Sequence, residues 1–248
     1  MSLTQNIARA KTDYNEVYEA GRKSQYDEFW DAFQKNGTLT YYYQAFAGYG
    51  WSYKNFYPKY DINMRDTAFA TFQGFGNGQN GLLNMRERLE ECGVKMLCPV
   101  GEQMGSTFYG ASISEMPELD ISKITSLNNT FGNCYYLHTV AFKLADNGNA
   151  YIQSNAFSNC TALVNLTFTS GVLRIGGLNL SAATKLSKAS IISIIEHLST
   201  TASGQGITLS KTAVDKAFAT TEGGTDGSDS AEWNTLISTR TNWSISLA

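Results

Sequence analysis

The chain has 248 residues, with 19 lysines and arginines against 22 aspartates and glutamates, a net charge of −3. That balance argues against a general attraction to nucleic acid, and no apolar run is long enough for membrane insertion. The start, Met1 to Ala10, lacks the apolar stretch of a secretory signal, so a cytosolic product, or one that leaves the cell by lysis, is expected.

Residues 3 to 35 read as helix. Ile7, Tyr14, Val17 and Gly21 share one face at heptad-like spacing, and Tyr26, Phe29, Trp30 and Phe33 follow at helical spacing. Gly21 weakens the middle, and Asn36-Gly37 is a stop signal. Two readings stand: a docking or oligomerisation helix, giving a homo-oligomer or contact with other proteins, or an amphipathic helix folded back on its own chain. The segment taken is 1–38.

Residues 39–84 form an aromatic-rich junction. Tyr41, Tyr43, Trp51, Tyr53 and Tyr57 are candidates for a ligand or partner surface, because rings give contact area at small entropic cost. The alternative is that they pack the junction between a helix and the next domain. The glycine-rich run from Gly74 to Gly81 lacks the Gly-Lys-Ser/Thr ending of a phosphate loop and is expected to be a plain loop. Leu82 to Cys92 has apolar groups at helical spacing, and Gly93 is a C-cap.

Residues 85–187 are read as this capping helix followed by repeats. The pattern is Phe-x-x-(Ala/Cys) with an apolar residue eleven places on, beginning at Phe108, Phe131, Phe157 and Leu180, at intervals of 23, 26 and 23. Ala111, Cys134, Cys160 and Ala183 hold the small position. Leu137, Leu163 and Leu186 stand six places on, and Leu119, Phe142 and Phe168 eleven on. A period in the twenties held at several positions marks repeats that bury one continuous core and usually offer a binding surface. The expected core is Phe108, Phe131, Cys134, Leu137, Phe157, Cys160, Leu163 and Leu186. Ile152 and Ile175 are read as a second inward rung. Asn133 and Asn159 are expected to bond main-chain groups at the bends.

Beyond 187 the period stops. Ser187 is an N-cap for a helix from Lys188 to Leu198. Ile207 to Leu209 reads as strand, Ser210 caps a helix carrying Val214 and Phe218, residues 231 to 238 form a last helix, and Trp243 to Leu247 alternates as a terminal strand. Residues 188–248 are therefore expected to be a helix-strand cap.

Ala156-Phe157-Ser-Asn-Cys160-Thr-Ala-Leu163-Val-Asn-Leu166-Thr-Phe168, followed by Val172-Leu-Arg-Ile175-Gly176, resembles one unit of the BspA-like leucine-rich repeats. Phe131-Gly-Asn-Cys134-Tyr-Tyr-Leu137 is similar, and the copies at Phe108 and Leu180 are degenerate. The resemblance covers about residues 105 to 186. It implies an α/β repeat fold, a leucine-rich-repeat solenoid with short strands, an N-terminal helical segment and a helix-strand C-terminal cap. The layout also resembles proteins of phages and prophages of Firmicutes-type gut bacteria, through Tyr26-Asp27-Glu28-Phe29-Trp30-Asp31-Ala32-Phe33 and the ending Thr241-Asn-Trp243-Ser-Ile245-Ser-Leu247.

No catalytic constellation, cofactor or metal site is expected. The four cysteines (Cys92, Cys98, Cys134, Cys160) fit neither zinc nor disulfide spacing. His138 and His197 are far apart, and a Cys134–His138 pair would need a thiol that the repeat register turns inward. Glu115, Glu118 and Asp120 are read as solvating a loop, with a glycosidase pair as the alternative. The function this resemblance implies is non-enzymatic binding by a phage tail fibre or tip component that recognises a host cell-surface protein or glycan and meets other virion proteins through its N-terminal helix. The alternative is a bacterial adhesin or partner-binding scaffold.

Overall fold

A computed structural model describes residues 46–47, 56–64, 70–76, 82–98, 103–146 and 151–248. The helix expected over 3 to 35 and four of the junction aromatics, Tyr41, Tyr43, Trp51 and Tyr53, lie outside the described residues. Within them the chain bends at residues suited to a left-handed backbone. Two places after Phe72, Phe108, Phe131 and Phe157 stand Gly74, Gly110, Asn133 and Asn159, with φ of 66°, 67°, 60° and 60°. Glycine and asparagine enter that region most easily, so each bend delivers its phenylalanine to the same place.

The rings then stack. Phe46 lies 4.9 Å from Phe72, Phe72 5.3 Å from Phe108, Phe108 5.1 Å from Phe131, and Phe131 5.3 Å from Phe157, with interplanar angles of 22° or less. The main chain keeps the same step. The amides of Phe46, Phe72, Phe108 and Phe131 donate to the carbonyls of Thr71, Thr107, Thr130 and Ala156, each the residue before the next phenylalanine, at 2.7–2.8 Å. Phe46 and Phe72 thus extend the ladder upstream of the sequence repeats. All eight expected core residues are buried, and Phe108, Cys160 and Leu163 are wholly so.

The strands do not form the leucine-rich-repeat solenoid expected from the period, and that expectation is corrected here. Among the described residues they fall into three short, separate parallel sheets. In the first, β1 (Ile62–Asn63) pairs with β3 (Met96–Leu97). The second has the order β2 (Leu83–Asn84), β4 (Ile113–Asp120), β5 (Thr139–Lys143) and β6 (Asn165–Ser170). In the third, β7 (Asn179–Leu180), β8 (Gln205–Leu209) and β9 (Trp243–Leu247) lie side by side.

Four α-helices complete an α/β fold among the described residues: α1 (Met85–Cys92), α2 (Lys188–Glu196), α3 (Lys211–Ala217) and α4 (Ala231–Ser238). The physical reason for the break lies in the copy that begins at Leu180. Its eleventh residue, Ile191, falls in α2, where the copies at Phe108, Phe131 and Phe157 supply β4, β5 and β6. The helix ends the second sheet with hydroxyls, because Ser190 Oγ and Ser193 Oγ accept from the amides of Leu166 and Phe168 at 3.0 Å each.

Three smaller expectations also change. Ile175 is exposed, not an inner rung. It pairs with Tyr151, so it is offset by one residue from buried Ile152, and a one-residue offset sends a side chain to the other face. Leu173 and Leu178 are buried on either side of it. Glu115, Glu118 and Asp120 lie on β4 rather than in a loop. Asn133 and Asn159 bond side chains of neighbouring copies rather than the main chain: Asn159 Nδ2 donates to Asn133 Oδ1 at 2.7 Å.

The C-terminal elements are specified locally. Ser187, Ser210 and Ser230 accept from the amides of Ser190, Ala213 and Trp233, satisfying donors that a helix start leaves unpaired. Asn84 caps α1 in the same way, and Gly93 ends it at φ 67°.

Candidate functional site

The bends sit side by side, and their side chains differ in size. Gly74 and Gly110 occupy two successive left-handed positions and leave the surface low, whereas Asn133 fills the third. Ser112 stands four places after Phe108, but Tyr135 stands four places after Phe131, with Tyr136 beside it. A groove of about 380 Å³ results, with Gln73, Gly74, Gly110, Ala111 and Ser112 along it and Tyr109, Asn133, Tyr135 and Tyr136 as its walls. That volume falls within the usual range of small-ligand clefts, about 300–1,000 Å³.

Tyr135 and Tyr136 are 52% and 46% exposed, the two most exposed aromatic side chains among the described residues. Tyr109 and Asn133 are fixed in place. Asn133 Nδ2 donates to the Tyr109 hydroxyl at 2.5 Å, and Asn133 Oδ1 accepts from Asn159 Nδ2 at 2.7 Å and from the Tyr135 hydroxyl at 3.4 Å. The Tyr109 ring lies against Gly132, where a Cβ would meet ring carbons at 3.0–3.1 Å. Among the described residues no Asp, Glu, His, Lys or Arg lines the groove. These residues offer ring faces, amides, hydroxyls and main chain.

A second, more open depression of about 580 Å³ lies among α2, α3 and α4, with Ile192, Phe218 and Leu236 on its floor and Glu196 and Glu232 on its rim. Lys188 spans that rim, bonding Glu232 at 2.7 Å and lying 5.0 Å from the Phe218 ring centre.

Most of the residues weighed for chemistry are engaged elsewhere. The Cys134 thiol donates to the Phe108 carbonyl at 2.9 Å and the Cys160 thiol to that of Phe131 at 3.0 Å. Burial pushes both thiols up, Cys160 to about 12 and Cys134 well above its ordinary value. Burial also pushes Cys98 to about 12. Such thiols stay protonated and unreactive at neutral pH. His138 is exposed while Cys134 is buried, so the two form no nucleophile pair.

Asp120 bonds Lys143 at 2.9 Å. Burial raises its carboxyl, but hydrogen bonds from Ser122 and Lys143 outweigh that and hold it below the usual carboxylate range. Glu115 is ion-paired with Arg86. Among the described residues no group of three or more His, Cys, Asp and Glu is placed to hold a metal, and no helix is long and apolar enough to cross a membrane.

Of the five aromatic residues expected to form a binding surface, Tyr57 alone is described. It is partly buried under the Arg88 guanidinium, 3.9 Å from its ring centre, and Arg88 Nη1 also donates to the Phe56 carbonyl at 2.5 Å. Sequence reading missed the groove tyrosines. A signal was present: at the two places after the small residue, the best-matched copy has Thr161-Ala162, and the copy before it has Tyr135-Tyr136. The copies at Phe108 and Leu180 have Ser112-Ile113 and Thr184-Lys185 there, so the paired, exposed tyrosines belong to one copy alone. Comparison with protein-family models, with curated proteins and with solved structures returned no match for this chain.

Proposed function

We propose that the protein is a non-enzymatic binding protein, a component of a bacteriophage tail that recognises a protein or glycan on the surface of its bacterial host. The observation that carries this reading is the uncharged groove walled by Tyr109, Tyr135 and Tyr136, held open by the Asn133 hydrogen bonds. Aromatic residues exposed beside polar groups on a rigid scaffold are what recognition surfaces are made of. The thiols and carboxylates first considered for chemistry serve instead as packing, hydrogen-bond and ion-pair partners. The tail assignment rests on the resemblance at Tyr26 to Phe33 and at the C-terminal end.

The test is retention of purified full-length protein on host cells, together with immunogold labelling of virions. Retention on the host strain but not on unrelated bacteria, with label at the tail, is the expected outcome. No retention would contradict the binding role. Retention without any label on virions would replace the tail component with a cellular adhesin.

A further inference from the structure

We propose that the groove between Tyr109 and the Tyr135–Tyr136 pair is a saccharide site that takes neutral pyranose units of a host-surface glycan. This rests on the binding role proposed above and names its ligand. Sugar rings present C–H faces on one side and hydroxyls around the edge. Aromatic faces carry the negative side of a quadrupole and accept such C–H groups, and Tyr135 and Tyr136 stand exposed at the groove to do so. Amides both donate and accept, which suits adjacent hydroxyls. The Gln73 side chain and the Tyr136 hydroxyl make no hydrogen bond to other described residues and are available for that purpose.

Two further features set the ligand class. The wall is preorganised, since Tyr109, Asn133 and Asn159 form one hydrogen-bonded chain, so little ordering is left to do on binding. Among the described residues the lining holds no cation, so phosphate-bearing or carboxylate-bearing polymers would meet no partner for their charge there. A protein partner would cover a far larger and flatter area than this cleft.

The full-length chain would be applied to an array of neutral oligosaccharides (glucose, galactose, mannose and N-acetylglucosamine oligomers) and anionic ones (uronate, sialyl and teichoic phosphate). Binding to a neutral member is expected, with Tyr135→Ala and Tyr136→Ala each weakening it about tenfold and leaving the melting temperature unchanged. Gln73→Ala should weaken it less.

Binding to anionic members alone, or equal binding by the Tyr135→Ala/Tyr136→Ala double variant, would overturn the proposal. Host-cell retention separates the two readings. If wild type and double variant are retained equally, and periodate cleavage of surface sugars changes nothing while protease treatment abolishes retention, the saccharide site falls and the binding role stands. If the wild-type protein is not retained at all, the binding role itself falls.

Discussion

The middle of the chain, residues 103–186, and the part after Ser187 differ in how their bends and helix starts are fixed. In the middle, the bonds run between copies: Phe108 to Thr130, Gly110 to Gly132, Phe131 to Ala156, Asn133 to Ser158, and side chain to side chain from Asn159 to Asn133. After Ser187 many are local: Ser187, Ser210 and Ser230 each accept from an amide three residues on. Damage in the middle therefore removes a partner from the next copy as well, whereas loss of the Ser210 or Ser230 hydroxyl removes a bond within one helix.

The largest effect should follow from charge placed in the middle. Leu163 is fully buried, and a carboxylate there has no partner to offset its lost hydration. Leu163→Asp is expected to leave no cooperative unfolding transition by circular dichroism. Next, Phe131→Ala removes a ring stacked at 5.1 and 5.3 Å on both sides and should cost about 3–5 kcal/mol in denaturant titration. Ser230→Ala, which removes one cap of α4, should cost about 1 kcal/mol. Equal losses from the two would erase the contrast.

The thiols sharpen it further. Cys134 and Cys160 carry raised pKa values and lie inside the stack. In native protein at pH 8, a disulfide reagent should modify the partly exposed Cys92 and reach Cys134 and Cys160 only at the rate of unfolding. Rapid modification of either would show the middle to be open.

The smallest effect concerns the C-terminal ion pair. Asp215 accepts from Lys211 at 2.6 Å and from the Ser228 amide at 3.1 Å. The Lys211 bond first, then those of Ser228, hold its carboxyl below the usual range against the opposing effect of burial. A carboxyl with a lowered folded pKa stabilises fully above its unfolded value, about 3.9, and loses that contribution as pH falls through the folded value. Lys211→Met should lower the melting temperature slightly at pH 7, a loss within about 1 kcal/mol, and the difference from wild type should vanish in strong acid.

The same contrast explains what could be read in the sequence. The C-terminal helices and strands were legible nearly to the residue, because a serine before an apolar stripe and an alternating Trp243-Ser-Ile245-Ser-Leu247 carry their own signals. The phenylalanine period was legible too, but not the partition of its strands. The helix that takes Ile191 was read from Ser187 onward, but nothing around Leu180 signals that this helix will end the second sheet beside β6. Phe46 and Phe72 escaped because 36 residues separate Phe72 from Phe108 and Phe75 fills the small position. Ile175 was misread because a one-residue slip between copies inverts its side chain. The groove was hidden because it lies low where Gly74 and Gly110 carry no side chain, and its tyrosine walls occur in one copy alone.

The central claim is that Tyr109, Tyr135 and Tyr136 form the recognition surface. Hydroxyl-radical footprinting of the full chain, free and bound to purified host envelope, tests it most directly. Lowered oxidation at Tyr135 and Tyr136 on binding is expected, with the half-buried Ile192 and Leu236 by the second depression unchanged. Protection confined to Ile192 and Leu236, with both tyrosines oxidised as in the free protein, would contradict it.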